Sequence, residues 1–223
     1  MHVPPRVRGG LVARWTALLV GLFLFALAIV MQLESGLGLS PWDVLHQGIA
    51  EHTPLSFGAA NVVVGVLVMA VAWGLGARIG FATVANSLLV GAFVQALTAI
   101  GAVDGLADDP LGVRIALLAV AMPVYGIASA LYLAAWMGAG PRDSLMVVLG
   151  ARMHRRLGVV RACIELLALG VGFVLGGTVG IGTVVFAVTI GPALEAGFWL
   201  LRRSPLGAPP PLVTPEPAPL AGS

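Results

Sequence analysis

The amino-acid sequence predicts an all-α integral membrane protein whose six transmembrane helices form two inverted three-helix repeats. Three observations predict this fold class. The composition is too apolar for a soluble domain, six segments are long and apolar enough to cross a bilayer, and a motif recurs at an offset of 100 residues. Each repeat is also expected to carry one short helix between its first and second spans.

The composition excludes a soluble globular domain. Of the 223 residues, 59% are hydrophobic and only 10% are charged, whereas a soluble domain carries about a quarter charged residues. The mean hydropathy is +1.01. All twelve basic residues are arginine and the formal net charge is +2. Because their placement follows membrane topology, we expect the lipid bilayer as a partner and no nucleic acid. The single cysteine, Cys163, excludes an intrachain disulfide.

Six apolar segments are long enough to cross about 30 Å of hydrocarbon at about 1.5 Å per residue. The first has an alternative interpretation as a signal peptide, because Ala26-Leu27-Ala28 resembles a cleavage site. Its apolar run continues past that site and has a counterpart at 114–133, so we interpret it as a span. The predicted spans are 15–33, 57–75, 80–100, 111–136, 162–175 with a continuation through 177, and 181–201.

The sequence divides into three parts. Residues 1–13 are expected to form a basic cytoplasmic N-terminus. Residues 14–203 form the membrane domain, with repeat one at 14–100 and repeat two at 114–201. Residues 204–223 are rich in Pro and Ala and lack apolar periodicity, so they predict a disordered cytoplasmic tail.

The arginines orient the spans. Six spans place both termini on one side, and eleven of the twelve arginines fall on that side. Only Arg114 falls opposite, together with five acidic residues. Positive charge accumulates in cytoplasmic loops, so both termini are expected in the cytoplasm. The acidic residues on the opposite side are Glu34, Glu51, Asp104, Asp108 and Asp109.

Residues recur at a fixed offset of 100. The pattern Gly38-x-x-Pro41-x-Asp43 returns as Gly138-x-x-Pro141-x-Asp143, and other pairs match without gaps. Because each unit contains three spans, an odd number, the second unit enters the membrane upside down relative to the first. This orientation predicts that the two Asp residues lie on opposite membrane faces. The further pairs are Arg14 with Arg114, Gly58 with Gly158, Gly76 with Gly176, Gly80 with Gly180, Thr83 with Thr183, and Gly91 with Gly191.

Both motifs are typical of a helix start. In the first, Ser40 can cap the helix, Pro41 fits its first position, and Asp43 can accept from free backbone N–H groups, for roughly 0.5–1 kcal/mol. Helix initiation alone explains this pattern. The functional alternative is that each short helix dips into the bilayer and its Asp faces a cavity. Trp42 is expected at the outer interface and Arg142 at the cytoplasmic one.

Six polar residues are candidates for a substrate site, because a polar group inside a membrane bundle is costly. Two of them have structural alternatives: Asn86 can form an interhelical hydrogen bond, and Glu165 can pair with Arg161 across one turn. No metal and no cofactor are expected, since His46 and His52 lack a cysteine or a tight carboxylate cluster in the sequence. The candidates are Asp43, Asn86, Gln95, Asp143, Glu165 and Glu195.

Several of these residues resemble a known family. The stretch Gly36-Leu-Gly-Leu-Ser-Pro-Trp-Asp43-Val-Leu-His46, then Gly58, Asn61 and Gly80-x-x-Thr83, and later Gly138-x-Gly-Pro-Arg-Asp143, is similar to the YczE/YitT type of bacterial integral membrane protein. The resemblance covers roughly residues 14–200. It implies a multi-span protein of the bacterial cytoplasmic membrane, and it implies no substrate, reaction or functional residue.

The sequence favours a small-solute transporter or permease with a substrate site between the inverted repeats, an architecture that recurs among transporters. Because six spans bury a modest core, we expect a homodimer. The alternative is a non-transporting accessory or scaffold protein for a partner enzyme or assembly, with the arginine-rich loop 152–161 as its docking face. An enzyme is not expected, because the sequence contains no phosphate-binding loop, no Gly-x-Ser-x-Gly and no His-Glu-x-x-His.

Overall fold

The computed structural model describes residues 5–101 and 105–208, and this part of the chain is predominantly helical. Besides the α-helices it contains a 3₁₀ turn at Leu106–Asp108 and two strands of two residues each. The helices are α1 (Leu11–Ser35), α2 (Pro41–His52), α3 (Phe57–Gly74), α4 (Phe81–Ala99), α5 (Leu111–Ala134), α6 (Pro141–Met153), α7 (Leu157–Val174) and α8 (Ile181–Arg203).

Six of these helices, all except α2 and α6, are long and apolar enough to cross a membrane. Their outer faces carry large exposed apolar side chains such as Leu67, Trp73 and Leu167, which is the surface expected against lipid. Helices α2 and α6 have 12 and 13 residues, too few to cross. The predicted all-α fold with six membrane spans is confirmed.

The fifth span begins earlier than predicted. Helix α7 starts at Leu157 and not at residue 162, so that Arg161 belongs to the helix. The Nε of Arg161 donates to Oε1 of Glu165 one turn later, at 2.9 Å. This ion pair accommodates the charge of Arg161 in an otherwise apolar helix. Of the predicted loop 152–161, only residues 154–156 lie between helices.

Helices α1 and α5 run antiparallel through the centre of the protein. Their facing side chains, among them Leu22, Ile29 and Tyr125, are completely buried. Helix α4 packs against α1, and α8 packs against α5. The core therefore has a central pair of helices with one helix on either side.

Two arginines close the ends of this central pair in the same way. Arg14 donates from Nε and Nη2 to the carbonyl oxygens of residues 135 and 136, at 2.7 and 2.6 Å. Arg114 donates from Nε and Nη2 to the carbonyl oxygens of residues 35 and 36, at 2.7 and 3.0 Å. Each guanidinium thereby satisfies carbonyl groups at the C-terminus of the opposite helix, which lack intrahelical partners. Donors and acceptors are both related by the offset of 100.

The segments that follow α1 and α5 are attached to the starts of α8 and α4. The N–H of Gly182 donates to the carbonyl of Leu37 at 2.7 Å, and the N–H of Ala82 donates to the carbonyl of Met137 at 2.9 Å. These two bonds are again related by the offset of 100. They hold the irregular chain that leads into α2 and α6 inside the protein.

The helix pairs α3–α4 and α7–α8 are packed differently. Gly58 and Gly91 bring α3 and α4 into backbone contact, since a Cβ added to either one would lie 2.5 Å from the carbonyl oxygen of the other. The matched residues Gly158 and Gly191 have nothing within 4 Å of such a Cβ. Helix α7 does not pack along α8. A gap therefore remains between α7 and α8 that α3 and α4 do not have.

The two ends of the described chain meet. Strand β1 (Arg6–Val7) pairs antiparallel with β2 (Gly207–Ala208). The prediction of disorder from residue 204 is therefore wrong for residues 204–208, because the pairing satisfies backbone groups of both segments. The rest of the predicted tail, 209–223, lies outside the described residues, as do residues 1–4 and Asp104.

Removing either helix-closing arginine is expected to destabilise the protein. Arg14→Gln leaves two half-buried carbonyl groups without a charged donor, and Arg114→Gln leaves one half-buried and one exposed carbonyl group. The expected cost is about 1.5–3 kcal/mol, with the larger effect in Arg14→Gln. Thermal unfolding of the purified protein in detergent measures the loss. The control is Arg78→Gln, which replaces an exposed arginine. Unchanged melting temperatures for both arginine variants would contradict the structural role.

Candidate functional site

One half of the site is the start of α2. Ser40 caps the helix: its Oγ accepts the N–H of Asp43 at 3.3 Å and donates to the Asp43 carboxylate. The Nδ1 of His46 lies 3.2 Å from Oδ1 of Asp43, and Nδ2 of Asn61 in α3 lies 3.1 Å from the same ring nitrogen. All four side chains are buried. The Asp43 carboxylate is thus already engaged by internal partners.

These contacts fix the charge states of α2. Burial disfavours the charged form of Asp43, yet His46, Arg142 and the Ser40 hydroxyl together hold the pKa of Asp43 below its ordinary value. Burial lowers the pKa of His46, against the opposing effect of Asp43. Near neutral pH, Asp43 is therefore ionised and His46 is neutral. The Nε2 of His46 has no hydrogen-bond partner among the described residues.

Two buried side chains of the central helix pair support this half. The hydroxyl of Tyr125 in α5 donates to Oε1 of Gln32 in α1 at 3.1 Å. The Nε2 of Gln32 donates to the carbonyl of Gly38 at 3.1 Å. Both side chains are completely buried. They hold the segment that leads into α2 against the core.

The other half is the start of α6, which carries fewer donors. At the offset of 100, Gly140 stands where α2 has Ser40, and Met146 stands where α2 has His46. The hydroxyl and the ring nitrogen that engage the first carboxylate are therefore both missing here. Asp143 is left with a less complete set of partners than its counterpart in α2.

The surroundings of Asp143 raise its pKa above the ordinary value. Among the described residues its carboxylate accepts one hydrogen bond, from the hydroxyl of Tyr132 at 3.3 Å. Burial raises the pKa of Asp143, although the positive charges of Arg161 and Arg142 oppose this effect. The negative charge of Glu165 raises it further. Asp143 therefore takes up a proton more readily than an exposed Asp.

Arg142 joins the two halves. Its Cζ lies 4.8 Å from the centroid of the Trp42 ring in α2. Burial lowers the pKa of Arg142, whereas the negative charges of Asp43 and Asp143 raise it. Within the described part of the chain, no hydrogen bond engages its guanidinium. A cation at the start of α6 thus contacts an aromatic ring at the start of α2.

This contact corrects three predictions. Trp42 is not an interfacial anchor, because it is only 7% exposed and packs between α3 and α7. Arg142 does not lie at a cytoplasmic boundary, because it reaches Trp42. Asp43 and Asp143 do not lie on opposite membrane faces, because both short helices begin inside the protein and their first turns meet.

A cavity of about 140 Å³ lies between the two helix starts and reaches the gap between α7 and α8. Trp42 and Arg142 form part of its wall, and Phe186, Ile190 and Leu194 of α8 form an apolar side. Its remaining polar side chains come from helices α3 to α7 and from the residue that caps α2. They are Ser40, Asn61, Asn86, Ser129, Tyr132, Asp143, Arg161 and Glu165.

The structure brings three of the six predicted site residues together. Asn86, Asp143 and Glu165 line the cavity. Asp43 lies behind the cavity wall in the buried α2 network. Gln95 and Glu195 are exposed on α4 and α8 and take no part in it.

Sequence reasoning missed the two arginines of the cavity, Arg142 and Arg161. The rule that positive charge accumulates in the cytoplasm explains an arginine near a span end whether or not it faces a cavity. The sequence offers one signal, for Arg142. It directly precedes Asp143 in a short helix that can dip into the bilayer, and an Asp143 that faces a cavity brings the start of this helix, with Arg142, into the interior.

The arrangement is suited to binding. It combines a guanidinium that has no hydrogen bond within the described part of the chain, a carboxyl group whose pKa is raised by burial, and side-chain amides within a partly apolar wall. A small polar solute can form the hydrogen bonds and ion pairs that the protein itself does not provide to these groups.

Comparisons with known proteins agree with a membrane protein of this type. The sequence profile of a family described as "Family of unknown function (DUF6198)" matches residues 12–197. A Haemophilus influenzae protein named "Uncharacterized protein" is 36% identical over 212 residues, which cover 92% of this chain and 95% of that protein. "Uncharacterized membrane protein YczE" of Bacillus subtilis is 31% identical over 192 residues, 83% of this chain and 85% of that protein.

A further relative, "Uncharacterized protein YyaS" of Bacillus subtilis, is 22% identical over 191 residues, 82% of this chain and 92% of that protein. No solved structure matches the chain. The similarity to YczE confirms the resemblance inferred from the sequence. Together with the six apolar helices, it identifies a multi-pass membrane protein.

Lowering the pH is expected to destabilise the protein through His46. Burial lowers the pKa of His46 in the folded state, beside Asp43 and Arg142, so the unfolded chain binds the proton more readily. The stability contributed by the neutral ring is present above its ordinary pKa of about 6.5 and is lost as the pH falls below it. The slope is at most about 1.4 kcal/mol per pH unit.

Thermal unfolding in detergent from about pH 8 to about pH 5 measures this effect. His46→Gln is expected to flatten the dependence near pH 6. His52→Gln, which replaces an exposed histidine in the same helix, should leave the dependence unchanged. An unaltered slope in His46→Gln would show that another group is responsible.

Proposed function

We propose that this chain, which belongs to the family of unknown function DUF6198, is a small-solute transporter of the bacterial cytoplasmic membrane with its substrate site in the central cavity. One observation carries the proposal: two short helices begin at one internal cavity where, among the residues that the structure describes, Arg142 has no hydrogen bond and Asp143 has one. Ionisable groups inside a membrane bundle are costly and mark substrate pathways. Their incomplete pairing favours a binding role over a purely structural one.

We infer that the site lies between two inverted repeats, α1–α4 and α5–α8. The support is the reciprocity of contacts between the units. Arg14 binds residues 135 and 136, and Arg114 binds residues 35 and 36. The backbone bonds at the starts of α4 and α8 follow the same rule. An approximate two-fold axis between the units produces such pairs, and transporters built this way carry their site near the midplane between repeats.

The difference between the two units supports the proposed transport. Helices α3 and α4 are in contact through Gly58 and Gly91, whereas α7 and α8 are apart at Gly158 and Gly191, where the cavity reaches the gap. In alternating access, α7 and α8 come into contact at Gly158 and Gly191 while α3 and α4 separate. The cavity is then open to the other side of the membrane.

The alternative, an accessory or scaffold protein, is supported by exposed arginines near the turn between α6 and α7, namely Arg152, Arg155 and Arg156. Two other arginines of the same stretch, Arg142 and Arg161, line the cavity instead. A docking face gives no reason for these two to be directed inward. The cavity therefore favours transport.

Cysteine labelling tests the orientation. In a Cys163→Ser background, His52→Cys at the exposed end of α2 should react with a membrane-impermeant maleimide from outside intact cells. His154→Cys at the exposed end of α6 should react only after the membrane is opened. This outcome follows from cytoplasmic termini and inverted repeats. Labelling of both positions from the same side would contradict the inverted arrangement.

Filling the gap between α7 and α8 is expected to block transport without unfolding the protein. Gly158→Leu or Gly191→Leu places a side chain in open space, so the described conformation is retained. The state in which α7 and α8 are in contact, however, becomes overpacked and is destabilised by about 1–3 kcal/mol. We expect this to lower uptake by roughly tenfold or more. Uptake of labelled small solutes into liposomes that contain the purified protein measures the effect.

The matched control is Gly170→Leu. This glycine lies in the same helix α7 and also has open space around it, but it is not part of the glycine pair. Uptake should remain at the wild-type level. Unimpaired uptake by a Gly158→Leu/Gly191→Leu double variant would reject the alternating motion. A wild-type protein that transports no solute of any charge class would favour the accessory function.

A further inference from the structure

The charged side chains that face the cavity differ in how far they are already engaged. The Nε of Arg161 donates to Glu165 at 2.9 Å, and Asp143 accepts from Tyr132 at 3.3 Å. Arg142 contacts the ring of Trp42 and, within the described residues, has no hydrogen bond. Its guanidinium is therefore the charged group of the cavity with the most unused donors.

The ring contact leaves those donors available. A cation–π contact attracts the guanidinium charge to the face of the ring and does not require its N–H groups as hydrogen-bond donors. Its N–H groups lie in the guanidinium plane and form a fork that matches a carboxylate with two parallel hydrogen bonds. Trp42 is itself held between α3 and α7. It therefore fixes the position of Arg142 without occupying the N–H groups that a ligand would use.

Two carboxyl groups lie near Arg142, and neither engages it in a hydrogen bond. Asp43 is bound by Ser40 and His46 behind the cavity wall. Asp143 faces the cavity, and burial raises its pKa. The third carboxylate of the site, Glu165, is paired with Arg161. The N–H groups of Arg142 are therefore available to the carboxylate of a bound anion.

The walls limit the size and character of the ligand. Phe186, Ile190 and Leu194 give an apolar side, and Asn86 and Ser129 add hydrogen-bonding groups. The cavity volume of about 140 Å³ is comparable with the roughly 150 Å³ of an engineered cavity that admits benzene. A compact organic molecule fits this space better than a large polar one.

We propose that the ligand is a small organic anion of about six to ten non-hydrogen atoms, whose carboxylate is bound by Arg142 and whose apolar part lies against α8. This inference rests on the proposed function and specifies the substrate class of the same site. Arg142 is then the residue that selects for negative charge, and Asp143 is the group that would oppose the anion when it is ionised.

Three probes of equal size and shape test the charge preference: benzoate, neutral benzamide and cationic benzamidine. Binding of radiolabelled benzoate to the purified full-length protein is measured by scintillation proximity, and the other two compete as unlabelled ligands. Benzoate is expected to bind at least about tenfold more tightly than benzamide, because charge-assisted hydrogen bonds exceed neutral ones. Benzamidine should not compete. Saturable binding of benzamidine, or no saturable binding of benzoate, would overturn the proposal.

Variants assign the preference to a residue. Arg142→Gln should weaken benzoate binding by about tenfold to a hundredfold. Arg142→Lys, which keeps the charge but lacks the fork, should give an intermediate loss. The control Arg152→Gln replaces an exposed arginine of the same helix and should have no effect. The assignment would be refuted if Arg142→Lys and Arg142→Gln both fold and both bind benzoate with wild-type affinity.

The variant Asp143→Asn separates this proposal from its opposite. It removes the negative charge that repels an anion, so benzoate affinity should be kept or increased. A site that recognises cations through Asp143 would lose its ligand in the same variant. If benzoate does not bind but the protein takes up a neutral or cationic solute into liposomes, the substrate class is wrong while the transport function stands.

Discussion

The structure depends on one constraint: the backbone groups of an interrupted helix must find partners inside an apolar protein. Helices α2 and α6 begin in the interior, where lipid cannot satisfy their free N–H groups or the carbonyls that precede them. The carbonyls of Leu37 and Met137 are satisfied by backbone N–H groups of α8 and α4. Both segments then turn through a glycine with positive φ, 113° at Gly38 and 126° at Gly138. The irregular backbone persists because the other half of the protein supplies its partners.

This mutual dependence explains where the cavity lies. Each half of the chain satisfies the interrupted segment of the other, and Arg14 and Arg114 do the same for the ends of the central helices. The two helix starts are therefore drawn to the same place. Side chains on their first turns, Trp42 and Arg142 among them, have to meet there. The polar interior is thus a consequence of how the backbone is satisfied, and the cavity forms around it.

Much of the fold could be predicted because it rests on local rules. Six apolar runs give six spans, and a Ser-Pro-x-Asp start gives a capped helix at Ser40. The direction of Arg142 could not be predicted, since a charge near a span end satisfies topology whether it faces water or the interior. The different packing of α3–α4 and α7–α8 could not be predicted either. Gly58 and Gly158 have equivalent sequence positions, yet Gly58 is in close contact with a neighbouring helix and Gly158 is not. This difference depends on how the helices pack in the folded protein, which the local sequence does not encode.

The two copies of the motif have unequal roles because they differ in hydrogen-bond donors. Asp43 has the Ser40 hydroxyl and the His46 ring, which offset the cost of a buried charge. Asp143 has Gly140 and Met146 at the same positions, so its ionised form depends on nearby arginines. If an anion binds beside Asp143 as proposed, the anion favours the protonated carboxyl group, and by linkage the proton favours the anion to the same degree. In that proposal Asp143, whose one side-chain donor among the described residues is Tyr132, is the group that couples a proton to the solute.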